Sequence, residues 1–191
     1  SKIVKLLLIV GLIVVVAVLI GQIAELMGAV SLDENVELTG ASSLYAIVGL
    51  IDVVLALLTV VFFSMWIYRA AANIVAAGVS GFDFTPGWAV GWYFIPIANL
   101  FKPFAAMRQI WNASHGEQGD RLNHANGPLA LWWGCWVFSG IASNISLRMS
   151  FNPSSAEDLL MGQQVGLVAS VVSLVLYPAA YRLIEGVTTA Q

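Results

Sequence analysis

Charged side chains are scarce in this sequence. Only 10% of the 191 residues are Asp, Glu, Lys or Arg, whereas a typical soluble domain has about 25%. The formal net charge of −3, with no cluster of Lys or Arg, argues against a nucleic-acid partner. Hydrophobic residues make up 59% of the chain instead. This composition predicts an integral membrane protein.

Cysteine and catalytic motifs are also scarce. Cys135 is the single cysteine of the sequence, which excludes an internal disulfide. The sequence contains no Gly-x-Ser-x-Gly, no phosphate-binding loop and no Cys-x-x-Cys. His115 and His124 lie in a glycine-containing stretch, and their spacing matches no compact metal motif. We therefore expect no enzymatic activity, no cofactor and no metal site.

Four apolar runs are long enough to cross a bilayer, which takes about 20 helical residues. They cover residues 3–25, 44–67, 128–147 and 159–183. Because lipid cannot satisfy backbone amides, each run is predicted to be a helix. The first run has two lysines at its start, Lys2 and Lys5, as a signal peptide would, but it is longer than the apolar core of roughly 7–15 residues typical of such peptides. We expect it to be an uncleaved span.

The basic residues predict the topology, because cytoplasmic loops of membrane proteins are enriched in Lys and Arg. With four spans and both termini cytoplasmic, only Arg148 lies outside. The remaining seven basic residues lie inside: Lys2, Lys5, Arg69, Lys102, Arg108, Arg121 and Arg182. If residues 88–101 spanned as well, the eight would divide four and four. The charges therefore favour four spans.

Acidic and aromatic residues agree with this topology. Five acids fall in its two outer loops: Asp33, Glu34, Glu37, Glu157 and Asp158. All seven tryptophans fall in its inner half or at the inner interface, where amphipathic rings are favoured. We expect Trp132, Trp133 and Trp136 to belong to such an interfacial belt.

The region between the second and third predicted spans begins with WIYRAAANIVAAG, which should prolong the second helix beyond the membrane. Gly78 and Gly81 then end that helix. In the following FDFTPGW, Asp83 and Thr85 can cap a helix, and Pro86 suits a first helical turn.

Pro96 and Pro103 interrupt the next stretch, and a proline inside a helix costs about 3 kcal/mol. They are predicted hinges between two short helical pieces, with a bend near residues 95–102. Residues 86–113 are therefore expected to lie at the cytoplasmic interface or to re-enter the inner leaflet. Seven distinctive side chains recur every three or four residues, as if on one helical face: Trp88, Trp92, Pro96, Asn99, Pro103, Met107 and Trp111.

The elements Trp-x-x-Arg, Pro-x-Trp, Pro-x-x-Asn and Lys-Pro follow one another in WIYRAAANIVAAG and FTPGWAVGWYFIPIANLFKPFAAMRQIW, and WW…W begins the next span. Across residues 66–136 the sequence closely resembles the bacterial membrane family called domain of unknown function 4328. This resemblance implies a small polytopic bacterial membrane protein, and it implies no activity.

Arginine, lysine, asparagine and tryptophan side chains of this region form a candidate binding site for a lipid phosphate, another anionic headgroup or an amphipathic small molecule. Its residues are Trp66, Arg69, Asn73, Trp88, Trp92, Asn99, Lys102, Arg108 and Trp111. In the alternative interpretation, the basic groups only anchor the protein electrostatically, and the asparagines cap broken helix ends.

Asp52 lies within the second predicted span, where an ionisable side chain is costly and indicates a functional site. Asp52 could instead be protonated, or pair with Asn144 or Arg148, which lie four residues apart on one helical face. We favour this pairing. A proton relay would need a second buried acid, for which Glu25 is the candidate.

The sequence thus predicts an all-α, polytopic helical bundle that forms a single membrane domain over residues 1–191, in the bacterial inner membrane with both termini cytoplasmic. We expect a non-enzymatic accessory or scaffold subunit that binds membrane lipids or other membrane protein subunits through its Trp/Arg/Asn-rich segment. The alternative is a small-molecule transporter or channel, with the broken segment (residues 86–113) as its gate and Asp52 as a coupling site.

Overall fold

The computed structural model describes residues 1–30, 40–124 and 127–191. These residues form α-helices, 3₁₀ helices and their connections, without a strand, so the all-α prediction is confirmed. The predicted outer-loop acids Asp33, Glu34 and Glu37 lie outside the described residues.

Six α-helices are present in the described ranges: α1 (Lys2–Leu26), α2 (Gly40–Ala76), α3 (Pro86–Gly91), α4 (Lys102–Ser114), α5 (Gly127–Phe151) and α6 (Ala156–Ala190). Three 3₁₀ helices accompany them, at Trp92–Phe94, Ala98–Leu100 and Gly119–Asn123. The helices α1, α2 and α6 are long and apolar enough to cross a membrane. With 25 residues α5 has the length as well, but its three tryptophans and Asn144 make it less apolar.

The end of α2 follows from its glycine. Gly78 has a φ of 67°, a left-handed conformation that side chains other than glycine rarely adopt. Its amide donates to the Val75 carbonyl at 3.1 Å, and the Val79 amide donates to the Ile74 carbonyl at 3.3 Å. These two bonds form a Schellman motif, which closes the helix after the WIYRAAANIVA stretch.

No α-helix forms between α3 and α4, where two 3₁₀ helices flank a turn at residues 95–97. Pro96 lies in that turn, whereas Pro103 is buried in the first turn of α4, a position that a proline tolerates. The structure therefore contains no continuous helical face from Trp88 to Trp111. The chain leaves the α-helical path after Gly91, and the two short α-helices with a break between them are what the two prolines predict.

The described chain divides into two compact units. The first unit contains residues 1–8, 58–134 and 179–191, and the second contains residues 9–57 and 135–178. Six of the seven tryptophans belong to the first unit, and Trp136 belongs to the second. Buried apolar side chains at the centre of the first unit include Ile67, Met107, Ile110, Leu122, Leu129, Trp132 and Ile184.

Trp132 and Trp133 lie in the core of the first unit, 2% and 9% exposed. The Trp132 ring centroid is 6.1 Å from that of Phe63, and the Trp133 centroid is 6.1 Å from Phe104 and 6.3 Å from Tyr93. Rings from α2, α4 and the 3₁₀ helix Trp92–Phe94 therefore pack against these two indoles, while their depth in a membrane stays a prediction.

Candidate functional site

The helix α4 carries two amide side chains on its buried face. Gln109 is 2% exposed and Asn112 is 5% exposed, beside Ala106, Ile110 and Ala113. A buried polar group is costly unless it is hydrogen-bonded. The partners of these two amides therefore show what α4 holds in place.

Gln109 binds two separate segments. Its Oε1 accepts a hydrogen bond from the Asp83 amide at 3.0 Å, and its Nε2 donates to Asp83 Oδ2 at 2.7 Å. The same Nε2 donates to Asn123 Oδ1 at 3.1 Å. Asp83 is thus held by α4, while Thr85 alone caps α3 by accepting from the Trp88 amide at 3.3 Å.

Asn112 fixes the 3₁₀ helix Gly119–Asn123 to α4. Its Nδ2 donates to the carbonyl oxygens of Arg121, Leu122 and His124, at 3.3, 2.9 and 3.1 Å. Leu122 is completely buried beneath it. The two amides of α4 therefore position both loops that border the candidate site.

A cleft of about 490 Å³ lies between these segments. We call it the aromatic cleft, and its lining residues are Asp83, Phe84, Thr85, Trp88, Trp92, Lys102, Ala105, Gln109 and Asn123. The rings of Trp88 and Trp92 lie 4.7 Å apart between centroids, with 33° between their planes. Lys102 Nζ lies 5.5 Å from the centroid of the Trp92 ring, within cation–π range. A cation and two indole faces are thus presented together.

Arg108 lies beside the aromatic cleft. Its Nη2 donates to Asn123 Oδ1 at 3.2 Å, and its guanidinium carbon lies 5.7 Å from the Phe104 ring centroid. Its Nε is buried without a hydrogen-bond partner. Among the residues that the structure describes, neither Arg108 nor Lys102 forms an ion pair with a carboxylate. The two positive charges of Lys102 and Arg108 exceed the single negative charge of Asp83 in the cleft lining, which favours an anionic ligand.

A second groove, of about 410 Å³, contains Arg69. Its lining residues are Ser64, Met65, Tyr68, Arg69, Gly87 and Val90. Arg69 is exposed, and within the described ranges it forms no ion pair. The groove is mainly apolar, and Arg69 therefore does not converge with Lys102 and Arg108 in the aromatic cleft.

Trp66 and Asn73 face the end of α6. Trp66 Nε1 donates to Thr188 Oγ1 at 3.3 Å, and Asn73 Nδ2 donates to Gln191 Oε1 at 3.0 Å. Gln191 Nε2 in turn donates to the Ala70 carbonyl at 3.2 Å. These contacts tie α2 to α6.

Trp111 also packs on α6, since its indole occupies the space that a Cβ at Gly186 would need. His115 stacks on Trp111 at 4.5 Å between centroids, and its Nδ1 forms a hydrogen bond with the Trp111 carbonyl at 2.8 Å. His124 ends the 3₁₀ helix Gly119–Asn123. In the described part of the chain, no three His, Cys, Asp or Glu side chains are grouped so that they could hold a metal ion.

The nine residues of the predicted binding site thus occupy different places. Trp88, Trp92 and Lys102 line the aromatic cleft, with Arg108 beside it. Asn99 lies half-buried in the 3₁₀ helix Ala98–Leu100. The others lie in the Arg69 groove or against α6, as described above: Arg69, Trp66, Asn73 and Trp111.

Asp52 belongs to the second unit and is half-buried. The expected pairing with Asn144 or Arg148 is wrong: Asn144 Nδ2 donates to the Gly140 carbonyl of its own helix at 3.0 Å, and both side chains are exposed. The role of Asp52 in a transporter stays a prediction.

The sequence reasoning missed Gln109, Asn112 and Asn123. A signal for the first two was present, because Gln109 and Asn112 lie three residues apart, next to the apolar positions Ile110 and Ala113 of a predicted helix. Polar residues on the buried face of a helix need partners elsewhere in the chain. The sequence has no comparable signal for Asn123, the last residue of the 3₁₀ helix Gly119–Asn123.

Residues 29–189 match the family described as Domain of unknown function (DUF4328). The match covers the aromatic cleft and the Arg69 groove, and it extends the resemblance seen at residues 66–136 into the flanking helices. No match is found among curated proteins or among solved structures. Because the matched residues make up most of the chain, the protein belongs to the DUF4328 family.

Proposed function

We propose that this protein is a non-enzymatic accessory or scaffold subunit of the bacterial inner membrane and that it binds an anionic phospholipid through the aromatic cleft. The observation that carries the proposal is the Lys102 ammonium group over the Trp92 ring, next to Arg108, with neither cation neutralised by a carboxylate among the described residues. The four-span topology with cytoplasmic termini is part of the same proposal.

The chemistry of the cleft suits a lipid headgroup. An ammonium group and a guanidinium group both bind phosphate oxygens through charge-assisted hydrogen bonds. The paired indoles of Trp88 and Trp92 offer an amphipathic surface of the kind that settles at headgroup depth. The Asp83 carboxylate accepts one bond from Gln109, and its remaining acceptor capacity suits the hydroxyl groups of a headgroup.

An exposed apolar patch lies beside the cleft and suits the acyl chains. Its side chains come from the break between α3 and α4: Phe94, Ile97, Leu100 and Phe101. Ile97 is the most exposed of them, at 76%. Four large apolar side chains in so short a segment are unfavourable in water and favourable in the acyl region of a leaflet.

The backbone of this break also suits a lipid environment. The amides of residues 98–101 all donate to carbonyl groups two to four residues earlier. The Leu100 carbonyl additionally accepts from Trp133 Nε1 at 3.3 Å. Irregular backbone is tolerated at membrane depth when its polar groups are satisfied by protein. These bonds support a segment that lies in the inner leaflet.

The surface of α2 supports contact with lipids or other subunits. In the most apolar 18-residue stretch of α2, no residue is buried inside the chain. A bilayer can cover such a surface, and so can the helices of another membrane protein. An accessory subunit would use this surface for its partner while the aromatic cleft holds a lipid.

Lipid binding can be measured by native mass spectrometry of protein released from nanodiscs. We expect anionic phosphatidylglycerol to stay bound in preference to neutral phosphatidylcholine. Lys102→Gln should weaken this binding about five-fold or more, since a lysine near an anionic surface contributes about 1 kcal/mol. Lys2→Gln is the matched control, because Lys2 is exposed and does not line the cleft.

A parallel binding measurement with soluble glycerol phosphate distinguishes a cleft that binds a lipid from one that binds a free phosphate ester. Binding of the soluble ester with the same Lys102 dependence, and no preference for the lipid, would identify a small-molecule site instead. Equal retention of phosphatidylglycerol by the wild type, Lys102→Gln and Lys2→Gln would refute the proposal.

A further inference from the structure

The second unit contains a polar cluster to which all four of its helices contribute. Its centre is Glu25, in the last turn of α1. Glu25 Oε2 accepts a hydrogen bond from the Tyr45 hydroxyl of α2 at 3.2 Å, and Glu25 Oε1 accepts from Gln163 Nε2 of α6 at 3.2 Å. Both donors are neutral, so they satisfy the carboxylate oxygens without balancing the negative charge.

The surroundings of Glu25 add negative potential. In the described part of the chain no Lys, Arg or His nitrogen lies within 4 Å of its carboxylate. The C-terminal end of a helix carries a partial negative charge of about half an elementary charge, which disfavours an anion and favours a cation. A carboxylate in the last turn of α1 therefore lacks a positive counter-charge from the protein.

Gln22 carries a further oxygen atom on the same face of α1. Gln22 precedes Glu25 by three residues and so shares its helical face. Gln22 Oε1 is buried and accepts no hydrogen bond. A buried amide oxygen without a donor is costly, and a bound cation would satisfy it.

The fourth helix reaches the cluster through Ser146. Its Oγ donates to the Gly162 carbonyl at 2.7 Å, which leaves the oxygen lone pairs available. Ser146 Oγ and Gln22 Nε2 lie 2.7 and 3.5 Å from the point where a Cβ on Gly166 would stand. A side chain at Gly166 would therefore collide with Ser146, and glycine allows α5 and α6 to approach closely beside Gln22.

We propose that this cluster is a binding site for Na⁺, with the Glu25 carboxylate as its charged ligand. The neutral ligands are oxygen atoms, Gln22 Oε1 foremost, with the Tyr45 hydroxyl and Ser146 Oγ. Hard oxygen ligands suit alkali and alkaline-earth ions, and a single carboxylate balances one positive charge. The site joins α1, α2, α5 and α6, so bound Na⁺ stabilises the second unit. It is independent of lipid binding in the first unit.

Binding can be measured directly with ²²Na⁺ and the purified protein in mild detergent. Choline chloride replaces NaCl to hold the ionic strength constant, and KCl and LiCl serve as competitors. We expect saturable binding of a single ion per chain, which Glu25→Gln abolishes. Gln22→Leu keeps the carboxylate and should weaken binding about ten-fold or more. Glu157→Gln removes a charge from an exposed position in the first turn of α6 and is the matched control.

Hydrogen exchange of the α1 and α6 peptides around Glu25 and Gln163 provides a second readout. We expect Na⁺ to slow exchange there in the wild type and in Glu157→Gln, and not in Glu25→Gln. If Glu25→Gln fails to fold, Gln22→Leu alone decides, because wild-type affinity in that variant overturns the proposal. Exchange in the wild type that does not respond to Na⁺ also overturns the proposal.

Discussion

Gln109→Leu tests whether one buried amide assembles the aromatic cleft. Leucine has a similar volume and keeps the apolar packing on the buried face of α4. It removes the three hydrogen bonds that Gln109 forms with Asp83 and Asn123. We therefore expect the loops at residues 80–85 and 119–124 to open locally while the helices remain folded.

The free-energy cost of Gln109→Leu can be estimated from those three hydrogen bonds. Each neutral hydrogen bond contributes about 0.5–1.5 kcal/mol, and the bond to the Asp83 carboxylate contributes about 1.5–3 kcal/mol. Asp83 is exposed, so water replaces part of the lost interaction. We expect a net cost of about 2–4 kcal/mol for closing these loops. Since about 1.4 kcal/mol corresponds to a factor of ten, their open population should rise roughly 30- to 700-fold.

Hydrogen–deuterium exchange with mass spectrometry measures this opening peptide by peptide. Exchange should accelerate in peptides that cover residues 80–86 and 118–124, and remain unchanged in α5. Gln118→Leu is the control, because Gln118 is exposed and makes no capping hydrogen bond with its side chain. Unchanged exchange in Gln109→Leu, or equal acceleration in every peptide, would show that the Gln109 amide does not specifically hold the loops at residues 80–85 and 119–124.

Two further changes address the second amide and the topology. Asn112→Asp places a carboxylate opposite three carbonyl oxygens, and we expect it to cost about 2–4 kcal/mol and to raise exchange at residues 119–124. In a Cys135→Ser background, a membrane-impermeant maleimide should label Ser154→Cys from outside in spheroplasts, and label Gln118→Cys only after permeabilisation.

The outcomes that contradict these two expectations are distinct. Asn112→Ser is the comparison for Asn112→Asp, because it removes the same hydrogen-bond donor without adding a charge. Equal hydrogen exchange in the two variants would exclude repulsion between the new carboxylate and the carbonyl oxygens. Labelling of Gln118→Cys in intact spheroplasts would place the aromatic cleft outside and contradict the topology predicted from the Lys and Arg residues.

The helices and their ends could be predicted because their causes are local. An apolar run of about 20 residues has one stable form in lipid, and the described helices cover the predicted runs. Gly78 provides the left-handed residue that closes α2, and Thr85 with Pro86 begins α3. Each of these features depends on a few neighbouring residues.

The candidate site could be predicted only in part because its causes are long-range. Helical spacing shows that residues share a face, but it does not show which element that face meets. Trp66 and Asn73 therefore looked like partners of Lys102, although they bind the end of α6. In the same way Gln109 looked like an ordinary polar residue, since its partner Asp83 lies 26 positions away.

The uneven distribution of tryptophan has a practical consequence. Six of the seven indoles belong to the first unit, two of them as a tilted pair in the aromatic cleft. Intrinsic fluorescence excited at the indole band therefore reports almost entirely on that unit, without any label. A headgroup that enters the cleft should change the emission, whereas a cation bound at Glu25 should leave it nearly constant. The wild-type protein thus carries a spectroscopic means of telling the two binding events apart.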